Sequence, residues 1–586
     1  MMPLRQSTHN GSSRPAGWGI VPVGATSLAR ELPIVLAGIG LFYSVISFAR
    51  YWSGPAGSQA EISLHPAALP KYALFSVLRL AIAYIFSFVF TLVYGYVAAY
   101  NRKAERFMIP LLDTLQSIPV LSFLPGVMIS MAALFPSRQV GVEIGSVLLI
   151  FTGQVWNMTF SFYSSLKNIP TEMREAAQAY GLSWWQRFWQ LELPQAAIGL
   201  IWNSMMSVAG GWFFLMACEM FVLGSRDFRL PGLGSYLQTA ANAGDTRAIL
   251  WGLMTMIGVV ILTDQIVWRP VIAWAEKFKL EQVGSAEIPR SPILTLLRSS
   301  KLLPFVTRSV VLPVRERLDL HFAKNHETRS LTKGTTRLPR WALRGLEVVV
   351  LAAIAYALAR VFSILATMSS AELRHIVWGA GATFLRVEAV LLLAALWTIP
   401  VGVAIGLRPK LSAIAQPIAQ IAASVPATAL FPIILLVLIR AGGGLGIGSI
   451  VLLLLGTQWY LLFNVIAGAT AIPADLKEVC NTYQLSMTER WRRLFLPAIF
   501  PYLITGFVTA SGGAWNASIV AEYFHFRGQT ISTTGLGAII SQATDSGNYR
   551  LLLSATVMMA MMVVTINRLV WRPLYALASG RFKLEA

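Results

Sequence analysis

The sequence has little charge for its length. Only 13% of its 586 residues are Asp, Glu, Lys or Arg, whereas 55% are hydrophobic, and the mean hydropathy is +0.61. Soluble domains carry about 25% charged residues. The composition therefore excludes a soluble globular chain and predicts a multi-pass membrane protein, with room for roughly a dozen spans of about 20 residues each.

Motifs of enzyme chemistry are also missing. No Lys is preceded by Gly, so the Gly-Lys phosphate-binding loop of an ATPase cannot form. Paired catalytic carboxylates and a nucleophile elbow are absent, and the six His residues are scattered. The two cysteines, Cys218 and Cys480, supply neither a disulfide framework nor a metal cluster. The sequence predicts no catalytic residue, no metal site and no bound cofactor.

One stretch, Ile169 to Pro194, occurs twice. Its second copy, Ile472 to Pro497, lies 303 residues later at both ends. In the first copy, an acidic turn after Pro suits a helix start, Gly181 suits a left-handed helix end, and Ser183 with Gln186 has capping-box spacing. This pattern predicts two helical hairpins outside the membrane. A single copy is explained by a surface loop, but two copies at one offset indicate a docking element.

The hairpins resemble the cytoplasmic coupling loop of ABC importer permeases, which carries Glu-Ala-Ala, a Gly and a distal Leu-Pro. In that family the loop sits in a groove of the ATP-binding subunit and transmits nucleotide-driven closure to the membrane helices. The resemblance assigns this coupling role to Glu175, Ala176, Ala177 and Gly181 and, by position, to Glu478, Val479, Cys480 and Gln484. The second copy departs from the pattern, because Val and Cys replace the two Ala and Gln replaces the Gly. Closer docking is expected for the first hairpin.

Six apolar spans are predicted in each half. Those of the first half cover about 32–52, 75–100, 107–135, 145–166, 196–223 and 250–274, and those of the second cover about 341–368, 382–407, 414–439, 446–467, 499–521 and 551–575. The predicted fold is an all-α polytopic membrane protein of two tandem six-helix ABC importer transmembrane domains. The predicted divisions are an N-terminal tail at 1–30, a first domain at 31–281 with its hairpin at 169–194, a linker at 282–340, and a second domain at 341–586 with its hairpin at 472–497.

The formal net charge is +20. In a soluble chain this excess would suggest nucleic acid as a partner, but here the positive-inside rule explains it, since basic residues cluster after the predicted second, sixth and eighth spans and in the linker. Both termini and both hairpins are therefore predicted to be cytoplasmic, in a bacterial-type inner membrane. Within the basic linker, Ile293 to Leu303 suits either an amphipathic helix on the inner leaflet or a solvated tether.

Eight residues in the predicted spans are candidates for a translocation pathway, because they bend a helix or are costly in a bilayer. They are the mid-span prolines Pro119 and Pro426, Trp212 and Trp515 after small-residue runs, the acids Glu219 and Glu522, and the cations Arg79 and Arg386. Each has a structural alternative. The prolines suit simple kinks, the acids suit partnered interfacial residues, and the cations suit helix packing or snorkelling to lipid.

The stretch from Trp515 to Glu522, with the following Gly-Leu-Gly, resembles the nitrate/sulfonate/taurine/bicarbonate branch of the importers. The resemblance implies a permease subunit for a small solute, with an anion such as nitrate, sulfonate or taurine preferred. It also implies two ATP-binding subunits, identical or not, that use ATP and Mg, an external solute-binding protein and membrane lipid as partners. The alternative is a twelve-helix secondary transporter of the major facilitator type. Such a transporter would show a Gly-Asp-Arg-rich loop where this chain has Asn101 to Arg106, and it has no reason for the hairpins.

Overall fold

The computed structural model describes residues 45–52, 61–136, 139–223, 226–227, 229–275, 307–320, 366–440, 444–526 and 529–581, with isolated positions elsewhere. The described residues are almost entirely helical. The predicted N-terminal tail, part of the predicted first span of the first half, most of that of the second half and nearly all of the linker segment 293–303 lie outside them.

The two halves contain the same succession of helices. The first half has α1 (Leu69–Tyr100), α2 (Arg102–Ser117), α3 (Leu124–Leu134), α4 (Val140–Lys167), α5 (Thr171–Ala179), α6 (Trp184–Arg187), α7 (Leu193–Glu219), α8 (Leu233–Ala243), α9 (Thr246–Thr263) and α10 (Arg269–Ala275). The second half has α11 (Ser370–Gly406), α12 (Pro409–Ser424), α13 (Ala427–Arg440), α14 (Leu445–Thr470), α15 (Ala474–Thr482), α16 (Met487–Arg490), α17 (Leu496–Ala521), α18 (Leu536–Asp545), α19 (Tyr549–Ile566) and α20 (Arg572–Arg581). Two antiparallel strand pairs follow α7 and α17, namely β1 (Val222–Leu223) with β2 (Arg226–Asp227) and β3 (Tyr523–Phe526) with β4 (Gln529–Ser532).

Single π-helical turns interrupt the long helices at matching places in the two halves. They lie at Phe188–Glu192 and Asp264–Trp268 in the first half and at Trp491–Phe495 and Asn567–Trp571 in the second. Counted through these turns, eight helical segments of the described residues are long and apolar enough to cross a membrane, and a bent pair raises this number to nine. The prediction of an all-α polytopic protein is confirmed.

The predicted spans 107–135 and 414–439 are not continuous helices. In the first half the segments Arg102–Gln116 and Val120–Leu134 differ in direction by 82°, and in the second half α12 ends at Ser424 before α13 begins at Ala427. The cause is local. Ile118 and Val425, each followed by Pro, are extended (ψ 124° and 115°), as a residue before Pro prefers. Each proline therefore ends a helix instead of kinking it.

One hydrophobic core runs through both halves. Within each half, α4 packs against α1 and α7, and α14 packs against α11 and α17. Between the halves, α2 packs on α19 and α12 packs on α9. Buried residues of both halves, from Leu69 to Trp571, form a single cluster. The two halves thus form one packed unit.

Candidate functional site

Both hairpins end their first helix with a left-handed residue. Gly181 has φ +64°, and Gln484 at the matching position has φ +48°. The hydrogen bonds of the two turns correspond, since Leu182 N donates to Ala177 O and Leu485 N donates to Cys480 O (3.0 and 3.1 Å). The predicted capping boxes are also present, one at Ser183 and one at Ser486. Gln484 is the only non-glycine residue with positive φ in the described part of the chain.

The hairpins expose only part of the predicted coupling face. Ala177 and Cys480 are buried, with 5% and 6% exposed, whereas Glu175, Ala176, Gly181, Glu478, Val479 and Gln484 are exposed or nearly so. Ala177, one of the residues assigned to coupling, therefore packs into its own chain and does not face outward. Cys480 likewise packs in the core of its own half, so the added bulk on the outer face of the second hairpin comes from Val479 and Gln484.

Sequence reasoning missed the most prominent feature of the hairpin tips. Tyr180 and Tyr483 are 84% and 74% exposed, and each directly precedes the left-handed residue. An exposed aromatic ring at an interface supplies a large contact area at low entropic cost. The signal was present, because the two tyrosines lie 303 residues apart like the rest of the repeat.

The end of α7 away from its hairpin holds a buried ion cluster. Arg79 on α1 binds Glu143 on α4 through two hydrogen bonds of 2.7 Å and Glu219 on α7 through one of 2.7 Å. All three side chains are fully buried. Such burial is tolerated only when the charges are paired and hydrogen-bonded. The cluster therefore ties three helices together at this end. For Arg79, this placement favours helix packing, the structural alternative to a role in the pathway.

The second half contains a smaller version of this cluster. Arg386 pairs with Glu522, which also accepts hydrogen bonds from Thr383 (2.8 Å). The position of Glu143 is taken by Gly446, 303 residues later. The first cluster thus carries two acids for one cation, and the second carries one for one. The side chain of Arg386 keeps 11% exposure. Glu143 lies just before the predicted span 145–166, so it does not stand out in the sequence as an acid within a span.

The repeated Gly-Leu-Gly has a steric reason. Glu219 accepts a hydrogen bond from Gly234 N (2.8 Å) and so caps the start of α8, where a carboxylate also favours the helix dipole. A Cβ on Gly232 would lie 2.2 Å from the Glu219 carboxylate, and one on Gly535 would lie 2.1 Å from that of Glu522. Glycine is required here because the carboxylate occupies the space of a side chain.

Two cavities lie between the halves. The central one, about 110 Å³, is lined by α7 of the first half and by α14, α17 and the α12–α13 break of the second, including Pro426, Tyr460 and Asn516. The outer one, about 600 Å³, lies beyond the far ends of α7 and α17, between α8 and α18. Each cavity therefore borders one broken span, the central one at Pro426 and the outer one at Leu121.

The outer cavity has polar groups on both walls. Arg229, Gln238 and Asn242 line one side, and His525 and Asp545 line the other. Asp545 accepts hydrogen bonds from Tyr523 (2.6 Å) and contacts His525 Nε2 (2.9 Å). Burial, together with the bond to Asp545, raises the pKa of Tyr523. The sequence alone did not single out these residues.

The eight predicted pathway residues separate into two groups. Pro426 lines the central cavity, and Pro119 is buried beside the outer one, whose lining begins at Leu121. The other six lie in the packed interior. Trp212 and Trp515 are buried in the core at 2% and 0% exposure, and Arg79, Glu219, Arg386 and Glu522 lie in the two ion clusters.

A polytopic helical protein of two matching halves, with cavities between them and an exposed hairpin on each, has the architecture of a transport permease. A family model described as the binding-protein-dependent transport system inner membrane component matches residues 91–267 and 398–577, together more than half of the chain. The chain belongs to this family, so it is a multi-pass inner-membrane protein with an internal duplication. The predicted importer family is confirmed, and the facilitator alternative is rejected.

Several relatives share between a fifth and a third of their matched residues with this chain. A nitrate import permease protein of Leptolyngbya laminosa is 28% identical over 193 residues, which are 33% of this chain and 66% of the relative. A bicarbonate transport system permease protein of Synechococcus elongatus is 30% identical over 145 residues (25% and 51%). A putative aliphatic sulfonates transport permease protein of Bacillus subtilis is 22% identical over 207 residues (35% and 70%). The chain thus spans no more than two thirds of the first two relatives. The branch expected from the sequence is confirmed.

Proposed function

We propose that this chain forms the whole translocation path of an ATP-driven importer, with the two halves in the places of two separate permease subunits. The observation that carries the proposal is the pair of exposed hairpins, which share left-handed elbows and protruding tyrosines. Two such hairpins suit two ATP-binding subunits, or one that acts as a homodimer. Those partners bind ATP and Mg and hydrolyse the ATP, and an external solute-binding protein delivers the solute.

The solute is a small anion in this proposal. The relatives named above are permeases for nitrate, bicarbonate and aliphatic sulfonates, as their names state. The central cavity is lined mainly by apolar and aromatic residues with Asn516 and Tyr460 as polar groups, so it offers hydrogen bonds without an opposing carboxylate. A volume of about 110 Å³ fits a group of a few heavy atoms. Its size and lining suit a compact oxyanion or the head of a sulfonate.

The proposal predicts that transport requires an added ATPase. Liposomes containing the chain alone should show no uphill uptake, whereas liposomes that also contain its ATP-binding subunits and solute-binding protein should accumulate solute when ATP is supplied. Nitrate, bicarbonate and an alkanesulfonate are tested separately, with a neutral amide of similar size as the control. Proton-driven or other uphill uptake by the chain alone would contradict the proposal of an ATP-driven importer. Uptake of the amide in preference to all three anions would contradict the proposal that the solute is an anion.

A further inference from the structure

Each broken span contacts the last long helix of the other half through polar side chains. Arg572 Nη2 at the start of α20 donates to Asp113 Oδ2 on α2 at 3.1 Å. Gln420 Nε2 on α12 donates to Asp264 Oδ1, at the end of α9, at 3.3 Å. Asp264 also pairs with Arg269 of its own half at 3.2 Å. These contacts accompany the packing of α2 on α19 and of α12 on α9.

The two contacts occupy equivalent places. Asp113 and Gln420 lie 307 residues apart, the offset of the broken spans, and Asp264 with Asn567 and Arg269 with Arg572 lie 303 apart, the offset of the last helices. Junction A is defined as Gln420, Asp264 and Arg269, and junction B as Asp113, Asn567 and Arg572. Each junction therefore holds one Asp, one amide and one Arg. The acid lies on the last helix in junction A and on the broken span in junction B.

Because the acid lies on different helices in the two junctions, the charge balance of a junction depends on which halves meet there. When the first half faces the second, each junction has one acid and one Arg. If the first half faced a copy of itself, Asp113 would meet both Asp264 and Arg269, giving two acids for one cation. If the second half faced a copy of itself, Gln420 would meet Asn567 and Arg572, giving a cation with no acid.

The cost of such mismatches is raised by their location. Asp264 and Arg269 lie in the segment Thr246–Ala275 and Arg572 in Tyr549–Ala578, both of spanning length and composition, and Asp113 lies in the bent pair. Charged side chains within such segments are costly unless they are paired, most so for Asp264, whose side chain is 16% exposed, and least so for Arg572, whose side chain is 56% exposed. A partner is therefore selected against when it leaves an acid or an Arg uncompensated.

We propose that junctions A and B determine partner choice, so that the first half assembles with a second half and not with another copy of itself. The interaction surface is the pair of contacts α2 with α19 and α12 with α9, and the partner is the opposite half of this chain. The proposal concerns assembly and does not depend on the solute or on ATP.

The test exchanges two residues in the full-length chain. Asp113→Gln combined with Gln420→Asp keeps composition and net charge but gives junction A two acids and junction B none. The same variant balances the charges when two first halves or two second halves meet. Two differently tagged copies are co-expressed in one membrane, solubilised and purified on one tag. We expect the exchange variant to capture the second tag well above the wild-type level and to unfold at a lower temperature.

A second variant moves the acid within one junction. Asp113→Gln alone should lower the unfolding midpoint, and adding Asn567→Asp should restore it, because junction B then has the arrangement of junction A. Capture by the exchange variant that does not exceed the wild-type level would overturn the proposal. If the exchange variant cannot be purified, a midpoint for Asp113→Gln with Asn567→Asp as low as that of Asp113→Gln alone would overturn it instead.

Discussion

The glycines beside the buried acids are required by space and not by backbone conformation. Gly232 has an extended φ of −176°, which any residue adopts, but its Cβ would overlap the Glu219 carboxylate. We predict that Gly232→Ala destabilises the protein by about 1–3 kcal/mol, the usual cost of overpacking. The measurement is the thermal unfolding midpoint in detergent. Gly535→Ala should behave in the same way against Glu522.

A matched substitution separates this clash from a general effect of replacing glycine. Gly258 lies in α9 and has nothing within 4 Å of the site of an added Cβ. Because Ala favours a helix over Gly by up to ~1 kcal/mol, Gly258→Ala should leave the midpoint unchanged or raise it. Equal losses at Gly232 and Gly258 would show that the carboxylate does not set the requirement.

The two ion clusters should respond unequally to loss of their cation. Arg79→Gln leaves Glu143 and Glu219 buried together without a counterion, and breaking a buried pair costs about 3–5 kcal/mol. Arg386→Gln leaves only Glu522, which keeps its bonds from Thr383 and from Gly537 N. We predict a larger drop in unfolding midpoint for Arg79→Gln.

The Arg386→Gln variant also tests whether this cation, a predicted pathway residue, binds the solute. If it does, the solute-stimulated ATPase activity of the Arg386→Gln complex should need more solute. Unchanged solute dependence, with the midpoint order above, would leave Arg386 a purely structural role. A larger drop in the unfolding midpoint for Arg386→Gln than for Arg79→Gln would contradict the argument that two buried acids without a counterion cost more than one.

The two hairpins have the same turn geometry, but the turn costs more conformational free energy in the second hairpin than in the first. Gln484 adopts a left-handed conformation that costs a residue with a Cβ roughly 1 kcal/mol more than Gly. We predict that Glu175→Ala with Gly181→Val uncouples ATP hydrolysis from uptake more severely than Glu478→Ala with Gln484→Val. The reason is that the first hairpin loses a glycine, whereas the second already tolerates a side chain there.

The comparison uses ATPase activity and uptake of the assembled complex at matched expression. Gln484→Gly is a useful control, because it should stabilise the second hairpin without changing its shape. Equal uncoupling by the two double variants, or greater uncoupling by the second, would show that the first hairpin is not the dominant coupling element.

The hairpins are also anchored differently to their own halves. Glu192, fully buried, binds Arg187 at 2.7 Å and accepts a hydrogen bond from Tyr100 of α1 at 2.6 Å. The position of Glu192 is taken in the second half by Phe495, which packs in an apolar cluster. An ionic anchor requires one geometry, whereas an apolar cluster accepts small shifts. The first hairpin is therefore the more rigidly held of the two.

In the whole molecule, a hydrogen bond between a backbone N–H and a side-chain oxygen joins the two halves across the broken span. Asn516 Oδ1 on α17 accepts from Leu121 N, just beyond Pro119, at 3.3 Å. We predict that Asn516→Leu destabilises the chain by about 1–3 kcal/mol, because it leaves a poorly hydrated N–H without a partner. Asn464→Leu is the control, since the Asn464 side chain donates only within its own helix (2.8 Å to Tyr460 O). Equal midpoints for the two variants would argue against a role for this bond in joining the halves.

Repetition made much of this molecule predictable. Two copies at one offset gave the hairpins, their elbows and their capping boxes, because these features depend on residues close in sequence. Pro119 and Pro426 are evident in the sequence, but it predicts continuous spans with kinks there, since a sequence does not show where a helix changes direction. The partners of Arg79 lie 64 and 140 residues away. Only the packing of α1 with α4 and α7 determines that they meet.

The π-helical turns carry information about the order in which this protein acquired its features. A π turn adds a single residue to a helix and is retained mainly where it is useful. Four such turns occupy matching places in the two halves, so they are older than the duplication that produced the halves. The differences at Glu143 and Gly446 and at Asp113 and Gln420 are younger, because one ancestor could not hold both members of a pair. Single-domain members of the family should therefore contain the π turns. The differences at these two pairs of positions should be confined to permeases whose two halves are fused or encoded by two genes.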